Sequence, residues 1–266
     1  MSAAVLQGHR KAWAAKPALR QVYKRYFREI LRLCAPHRPI VEVGCGCGLF
    51  REFYPEVIAT DVLSSKWVDV VCSAEALPFA HGRVGNIVLI DVFHHLHDPH
   101  GFLREAARVL KPGGRLVMLE PWTSLAGYLL YRYIHHETAD YGVDPARPFD
   151  EPKDVFDGNA TLPRIYFDNR SDSPDNYLDR LGLKIHLLRR LPAIDWLLCG
   201  GFRRCGITQR SQLPWMTALE RLCEPLSPWL ALRAFVVLEK RDPHAGLRAG
   251  AVSGQQAMGA KTARPC

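Results

Sequence analysis

Val41-Glu42-Val43-Gly44-Cys45-Gly46-Cys47-Gly48-Leu49-Phe50 sets three glycines on alternate positions directly behind a short apolar run, Ile40 to Val43. An apolar run of that length reads as a buried parallel strand. Glycines at its end suit a sharp turn into a helix where the backbone must come close to a ligand. The dinucleotide-binding fingerprint G-x-G-x-x-G would require glycine at 49, where the chain has Leu49, so a pyrophosphate cradle is disfavoured. What remains is an acidic residue, Glu42, followed by G-x-G-x-G.

Downstream, an apolar run from Val57 to Thr60 closes on Asp61, 17 positions after Gly44. A carboxylate at the end of a second strand is placed to accept hydrogen bonds from a ribose diol. Trp67 to Val71 reads as a third strand, followed by Ser73-Ala74-Glu75-Ala76-Leu77-Pro78-Phe79. Asn86 to Ile90 reads as a fourth strand that delivers Asp91-Val92-Phe93-His94-His95-Leu96-His97-Asp98. A helix with Phe102, Leu103, Ala106, Ala107, Val109 and Leu110 on one face then runs into Leu110-Lys111-Pro112-Gly113-Gly114 and a fifth strand, Leu116 to Leu119.

Taken in order, these motifs resemble the class I S-adenosylmethionine (SAM) dependent methyltransferases, in particular their small-molecule, ubiquinone-biosynthesis type. The resemblance spans Ile40 to Glu120. It implies an α/β fold, a Rossmann-like doubly wound seven-stranded sheet with an insertion or lid after strand five and an antiparallel last strand. It also implies SAM as cofactor, held by Glu42, Gly44, Gly46, Gly48, Asp61, Ser73, Ala74 and Asp91. Ser73 stands where the family has an aspartate that accepts from the adenine amino group. Its hydroxyl can still accept, without the assistance of a charge. The D/N-P-P-Y/F sequence of base-directed N-methyltransferases is absent after strand four, so the resemblance points away from nucleic acid and toward a small-molecule or lipid-linked acceptor methylated on oxygen or carbon.

Methyl transfer from a sulfonium needs alignment and, for an alcohol or phenol, removal of a proton; it needs no metal, and none is expected. His95 and His136 are the candidate catalytic residues. They come from the two segments expected to enclose the acceptor, and an unperturbed imidazole titrates near the required range. Two other classes stay open: a non-catalytic SAM-binding or partner-binding module of the same fold, for which Ser73 is the main support, and a nucleotide-sugar or NAD enzyme, which Leu49 and the L-K-P-G-G turn disfavour.

The rest of the chain divides around this core at 39–120. Residues 1–38 carry an amphipathic helix, with Leu19, Val22, Tyr23, Tyr26, Phe27, Ile30, Leu31 and Cys34 on one side and Lys24, Arg25, Arg28 and Arg32 on the other. Such a helix packs on the core with a solvated basic side, or its basic face makes peripheral contact with an anionic membrane or meets a phosphate-bearing substrate. Residues 121–182 read as a substrate-covering insertion, 183–240 as the strands that complete the sheet, and 241–266 as a disordered tail. The 266 residues are 48% hydrophobic and carry a formal charge of +8. The first 38 residues hold nine Lys or Arg against one Glu and the last 26 hold four against one Asp, leaving −3 for the residues between. A nucleic-acid-binding core would itself be basic. Eight cysteines show no paired spacing, and no stretch approaches the roughly 20 apolar residues of a membrane span, which together suggest a cytoplasmic protein. The sequence does not indicate an oligomeric state.

Overall fold

Seven strands form one sheet in the order β3-β2-β1-β4-β5-β7-β6 in the computed structural model, which describes residues 2–135, 137–145, 147, 149, 154–168, 177–203, 206 and 210–242. The strands are β1 (Ile40–Val43), β2 (Ile58–Asp61), β3 (Val70–Val71), β4 (Val84–Ile90), β5 (Leu110–Pro121), β6 (Leu183–Leu191) and β7 (Arg233–Lys240). The first five are mutually parallel, and β7 runs antiparallel to both β5 and β6. β1 and the first six residues of β7 are buried throughout, as expected of strands covered on both faces. Strand order reverses between β1 and β4, which opens a crevice beyond their carboxyl ends. The expected α/β, doubly wound, seven-stranded sheet is therefore the fold.

Helices α1 (Ser2–Ala15), α2 (Pro17–Leu33), α3 (Leu49–Phe53), α4 (Pro99–Val109) and α5 (Leu125–Tyr133) are followed by the shorter α6 (Leu162–Phe167), α7 (Tyr177–Arg180) and α8 (Ile194–Leu198), then α9 (Leu213–Cys223) and α10 (Ser227–Leu230). On one face of the sheet α2 buries Leu19, Val22, Tyr23, Phe27 and Ile30 against Phe50, Val117, Leu119 and Phe235. On the other, α4 buries Phe102, Leu103 and Ala106 against Val41, Ile87 and Met118. Each of the larger aliphatic and phenyl side chains among these contributes about 1.5–3 kcal/mol by leaving water. Asp98 caps α4 by accepting from the Gly101 N–H at 2.7 Å, and Pro99 fits its first turn.

Several expectations need correction. Residues 1–38 pack on the sheet through the apolar face of α2, with most of the basic face exposed. They form two helices, the first unread from sequence because only Leu6 and Trp13 along it are deeply buried. On α2, Arg25 pairs with the buried Asp195 and bonds to Thr217, whereas Lys24, Arg28 and Arg32 are exposed, Arg28 with its guanidinium 5.8 Å from the Phe53 ring. β3 is two residues rather than five, because Trp67 is packed beneath the glycine turn. Leu110 to Gly114 does not precede β5 but opens it, with Leu110 paired to Val84 and a register shift before Arg115 pairs with Asn86. In the insertion, Thr138 bridges to Asn159, which ties its two halves together. Most of the segment 241–266 lies outside the described residues, as does His136. Among the described residues no helix is long and apolar enough to cross a membrane.

Candidate active site

A cavity of about 770 Å³ opens at the carboxyl ends of β1, β2 and β4, within the size range of small-molecule sites. The glycine turn forms its floor. Gly44, Gly46 and Gly48 all have positive φ, at 74°, 53° and 72°. A Cβ at Gly44 would lie 2.6 Å from Val92 and one at Gly48 2.7 Å from Trp67. At Gly46 a Cβ would meet only Leu6, at 3.7 Å. Two of the glycines thus serve packing, whereas the middle one leaves space toward the cavity. Gly48 is the one expected cofactor residue that does not line the cavity; Glu42, Gly44, Gly46, Asp61, Ser73, Ala74 and Asp91 all do.

The polar groups around this floor are already oriented. Asp61 Oδ2 accepts from the Gly46 N–H and Oδ1 from the Leu63 N–H, each at 2.8 Å, so its carboxylate is held against the turn. Ser73 Oγ donates to Glu75 and accepts from the Glu75 N–H. Glu42 is 4% exposed and its Oε2 has no hydrogen-bond partner. Burial, then the neighbouring Asp61, pushes Glu42 up to about 8, so it is mainly protonated at neutral pH.

At the end of β4, Asp91 adopts φ 58° although it is not glycine, a strained conformation that persists only where its surroundings hold it. It is held by Arg233 of β7, which pairs with Asp91 Oδ1, and by the Tyr23 hydroxyl of α2, which donates to Oδ2 at 3.3 Å. Arg233 is fully buried, and the rings of Tyr23, Tyr26 and Trp196 surround its guanidinium at 5.2–5.7 Å. Burial raises Asp91, opposed chiefly by Arg233.

The loop after Asp91 holds a second polar cluster. Glu120, at the end of β5, accepts from the Val92 and Phe93 N–H groups at 2.9 Å and from His94 Nδ1–H at 2.7 Å. His94 Nε2 lies 3.4 Å from Glu137 Oε2, and His95 Nε2 lies 3.8 Å from Glu137 Oε1. His95 Nδ1–H donates to the Asp157 carbonyl at 2.9 Å. Burial opposes charge on His94, but Glu137, then the hydrogen bonds of Glu120 and Glu137, outweigh it and raise His94 to about 10. Burial, then His94, lowers His95 to about 4. Burial also works against ionised Glu137, yet His94 and its hydrogen bond hold that carboxylate far below its usual range.

Residues 41–118 match the family model for a methyltransferase domain. Over those residues the chain carries a methyltransferase domain. A segment of 110 residues is 31% identical to the tRNA U34 carboxymethyltransferase of Syntrophotalea carbinolica, covering 32% of this chain and 34% of that protein. Another of 47 residues is 45% identical to the uncharacterised protein YafE of Escherichia coli, covering 18% and 23%. The chain thus spans about a third or less of the length of these curated relatives. Among solved structures, a SAM-dependent methyltransferase from Archaeoglobus fulgidus superposes with TM-score 0.48 at 17% identity, covering 84% of this chain and 94% of that one. Geranyl diphosphate C-methyltransferase from Streptomyces coelicolor, solved with Mg2+, geranyl diphosphate and S-adenosylhomocysteine, gives 0.49 at 15% identity, covering 88% and 84%.

Within this methyltransferase domain, His95 lines the cavity as expected, but burial beside His94 makes it a weaker base than the ordinary imidazole assumed from sequence. His97 lines the cavity without joining the His94–His95–Glu137 group. Tyr23, His94, Glu120, Glu137 and Arg233 are site residues that sequence reasoning did not assign. Two of them left a signal: Glu120 ends an apolar strand, and Arg233 is the sole charge in the apolar stretch Leu226 to Leu238.

Proposed function

We propose that the chain transfers the methyl group of SAM to oxygen or carbon of a small or lipid-like acceptor held above the glycine turn. The observation that carries this reading is the open space at Gly46 facing Asp61, Ser73 and the unpartnered Glu42 Oε2 in a cavity large enough for a nucleoside and a second small molecule. SAM, when bound, supplies a methyl group on a sulfonium, open to in-line displacement. Asp61, fixed by two backbone N–H groups, keeps lone pairs for a ribose diol. Ser73, whose proton is directed at Glu75, can accept from an adenine amino group. A cationic amine near Glu42 would return that residue to the carboxylate. His95 is neutral at physiological pH, whereas His94 is protonated and committed to its two carboxylates.

The named activity of the Syntrophotalea relative raises tRNA as a second acceptor class. Against it stand the net charge of −3 over residues 39–240 and the closure of the 154–161 segment over His94 and His95. One experiment tests both: radiolabelled SAM is measured for binding by equilibrium dialysis, then incubated with protein and cell extract separated into soluble, lipid and RNA fractions. Retention of SAM with label in the soluble or lipid fraction is expected. Label confined to RNA would move the acceptor to the second class, and failure to retain SAM would remove the reading altogether.

A further inference from the structure

We propose that His94, His95 and Glu137 form a binding site for one divalent transition-metal ion, open to the cavity on its remaining side. The three residues each offer a ligand atom within 4.8 Å of the others. Two imidazoles and a carboxylate around an ion at about 2.0–2.2 Å would stand roughly 3–4 Å apart, so the group needs to close by only about an ångström.

What distinguishes this cluster from a chance grouping is the support behind it. Both Nδ1–H groups are already engaged, His94 by the Glu120 carboxylate and His95 by the Asp157 carbonyl. That arrangement fixes each ring and turns Nε2 toward Glu137, as in most protein metal sites. Glu120 is itself anchored by two backbone N–H groups. Gly158 is the closing element: a Cβ there would lie 2.8 Å from His95 Cε1 and 2.9 Å from His94 Cδ2. The segment carrying Asp157 can press on both rings only because residue 158 has no side chain.

Charge and ligand type narrow the occupant. Glu120 lies 2.7 Å behind His94 Nδ1 and Glu137 3.4 Å before its Nε2, a carboxylate-rich surrounding that suits a cation. Two imidazole nitrogens with one carboxylate suit zinc, iron, cobalt or manganese better than magnesium or calcium. The nearby thiols of Cys45 and Cys47 do not compete, since burial raises both, Cys47 to about 11. The sequence, by contrast, suggested no metal, because Glu137 lies 42 positions beyond His95 and no spacing rule joins them.

The test uses untagged full-length chain, dialysed against chelator and titrated with Co2+ while visible absorption and heat are recorded. One equivalent bound, with d–d bands and no thiolate charge-transfer band, is expected. Mg2+ in large excess should not displace it. Glu137→Gln and His95→Ala, each checked for native circular dichroism, should weaken Co2+ at least about 100-fold. Gly158→Ala, which keeps all three ligands, should weaken it by about 10-fold or more through the displaced rings. No binding by the wild-type chain, affinity unchanged in both ligand variants, or a thiolate band in the bound state would overturn the proposal. None of these measurements depends on SAM, so the site stands or falls apart from methyl transfer.

Discussion

The carboxyl ends of β1 and β4 lie side by side and meet the same cavity by opposite means. At β1 the chain removes side chains, turning through glycines at positive φ so that backbone can approach a ligand. At β4 the chain enters the same region of backbone space at Asp91 with a charged side chain, then adds His94 and His95. The first end draws only on its immediate neighbours: Thr60 and Asp61 at the end of the adjacent β2 take its N–H groups, and Val92 and Trp67 pack against it. The second is stable only through groups brought from elsewhere: Tyr23 from α2, Glu120 from β5, Glu137 and Asp157 from the insertion, Arg233 from β7. A backbone site is built locally, whereas a buried charge must be answered by another charge, and the fold supplies it from wherever the chain passes.

Substitutions at the two ends sharpen the contrast. The largest effect is expected at β4: Arg233→Met leaves Asp91 beside Glu120 and Glu137 without its cation and should cost about 3–5 kcal/mol of stability, measured by urea denaturation. A loss below about 1 kcal/mol would mean that Asp91 is answered by solvent instead. At β1, Gly46→Val should lower SAM affinity by about 100-fold or more while unfolding stays cooperative, since the new side chain enters the cavity from a strained position. Normal SAM binding by that variant would take the middle glycine out of the site. Asp61→Ala comes next, with a loss of about 1–3 kcal/mol in calorimetric SAM affinity.

An effect confined to one pH window concerns Glu42. Its folded value of about 8 lies above an unfolded value near 4.5, so the folded chain binds the extra proton between them. The stability this proton confers is full below about pH 4.5 and is lost as pH rises toward 8. Glu42→Gln should therefore become more stable relative to wild type as pH rises through that window, by up to about 4 kcal/mol at pH 8, measured by urea denaturation at each pH. Parallel stability curves for the two proteins between pH 5 and 8 would show Glu42 to be an ordinary solvated carboxylate.

The same contrast explains what could be read from sequence. Gly44, Gly46, Gly48 and Asp61 announce themselves because turn, strand end and carboxylate recur within 18 residues, and the sheet order follows from apolar runs separated by such turns. Arg233 and Glu120 do not, because a charged residue beside a strand reads as a surface position until its partner is known. The basic face of α2 misleads for a related reason. Arg25 has helical spacing with Lys24, Arg28 and Arg32, but its partner Asp195 is 170 residues away, so it alone of the four turns inward. β3 was read too long because Trp67 looks like a strand residue and is in fact the packing partner of Gly48.

The pairing of Asp91 with Arg233 also sets when the molecule can be finished during synthesis. Tyr23 and Asp91 leave the ribosome early, but the guanidinium that answers them sits at the first residue of β7. Until β7 emerges, β5 has an open edge and Asp91 lacks the Arg233 guanidinium, leaving His94 as the cation that offsets Glu120.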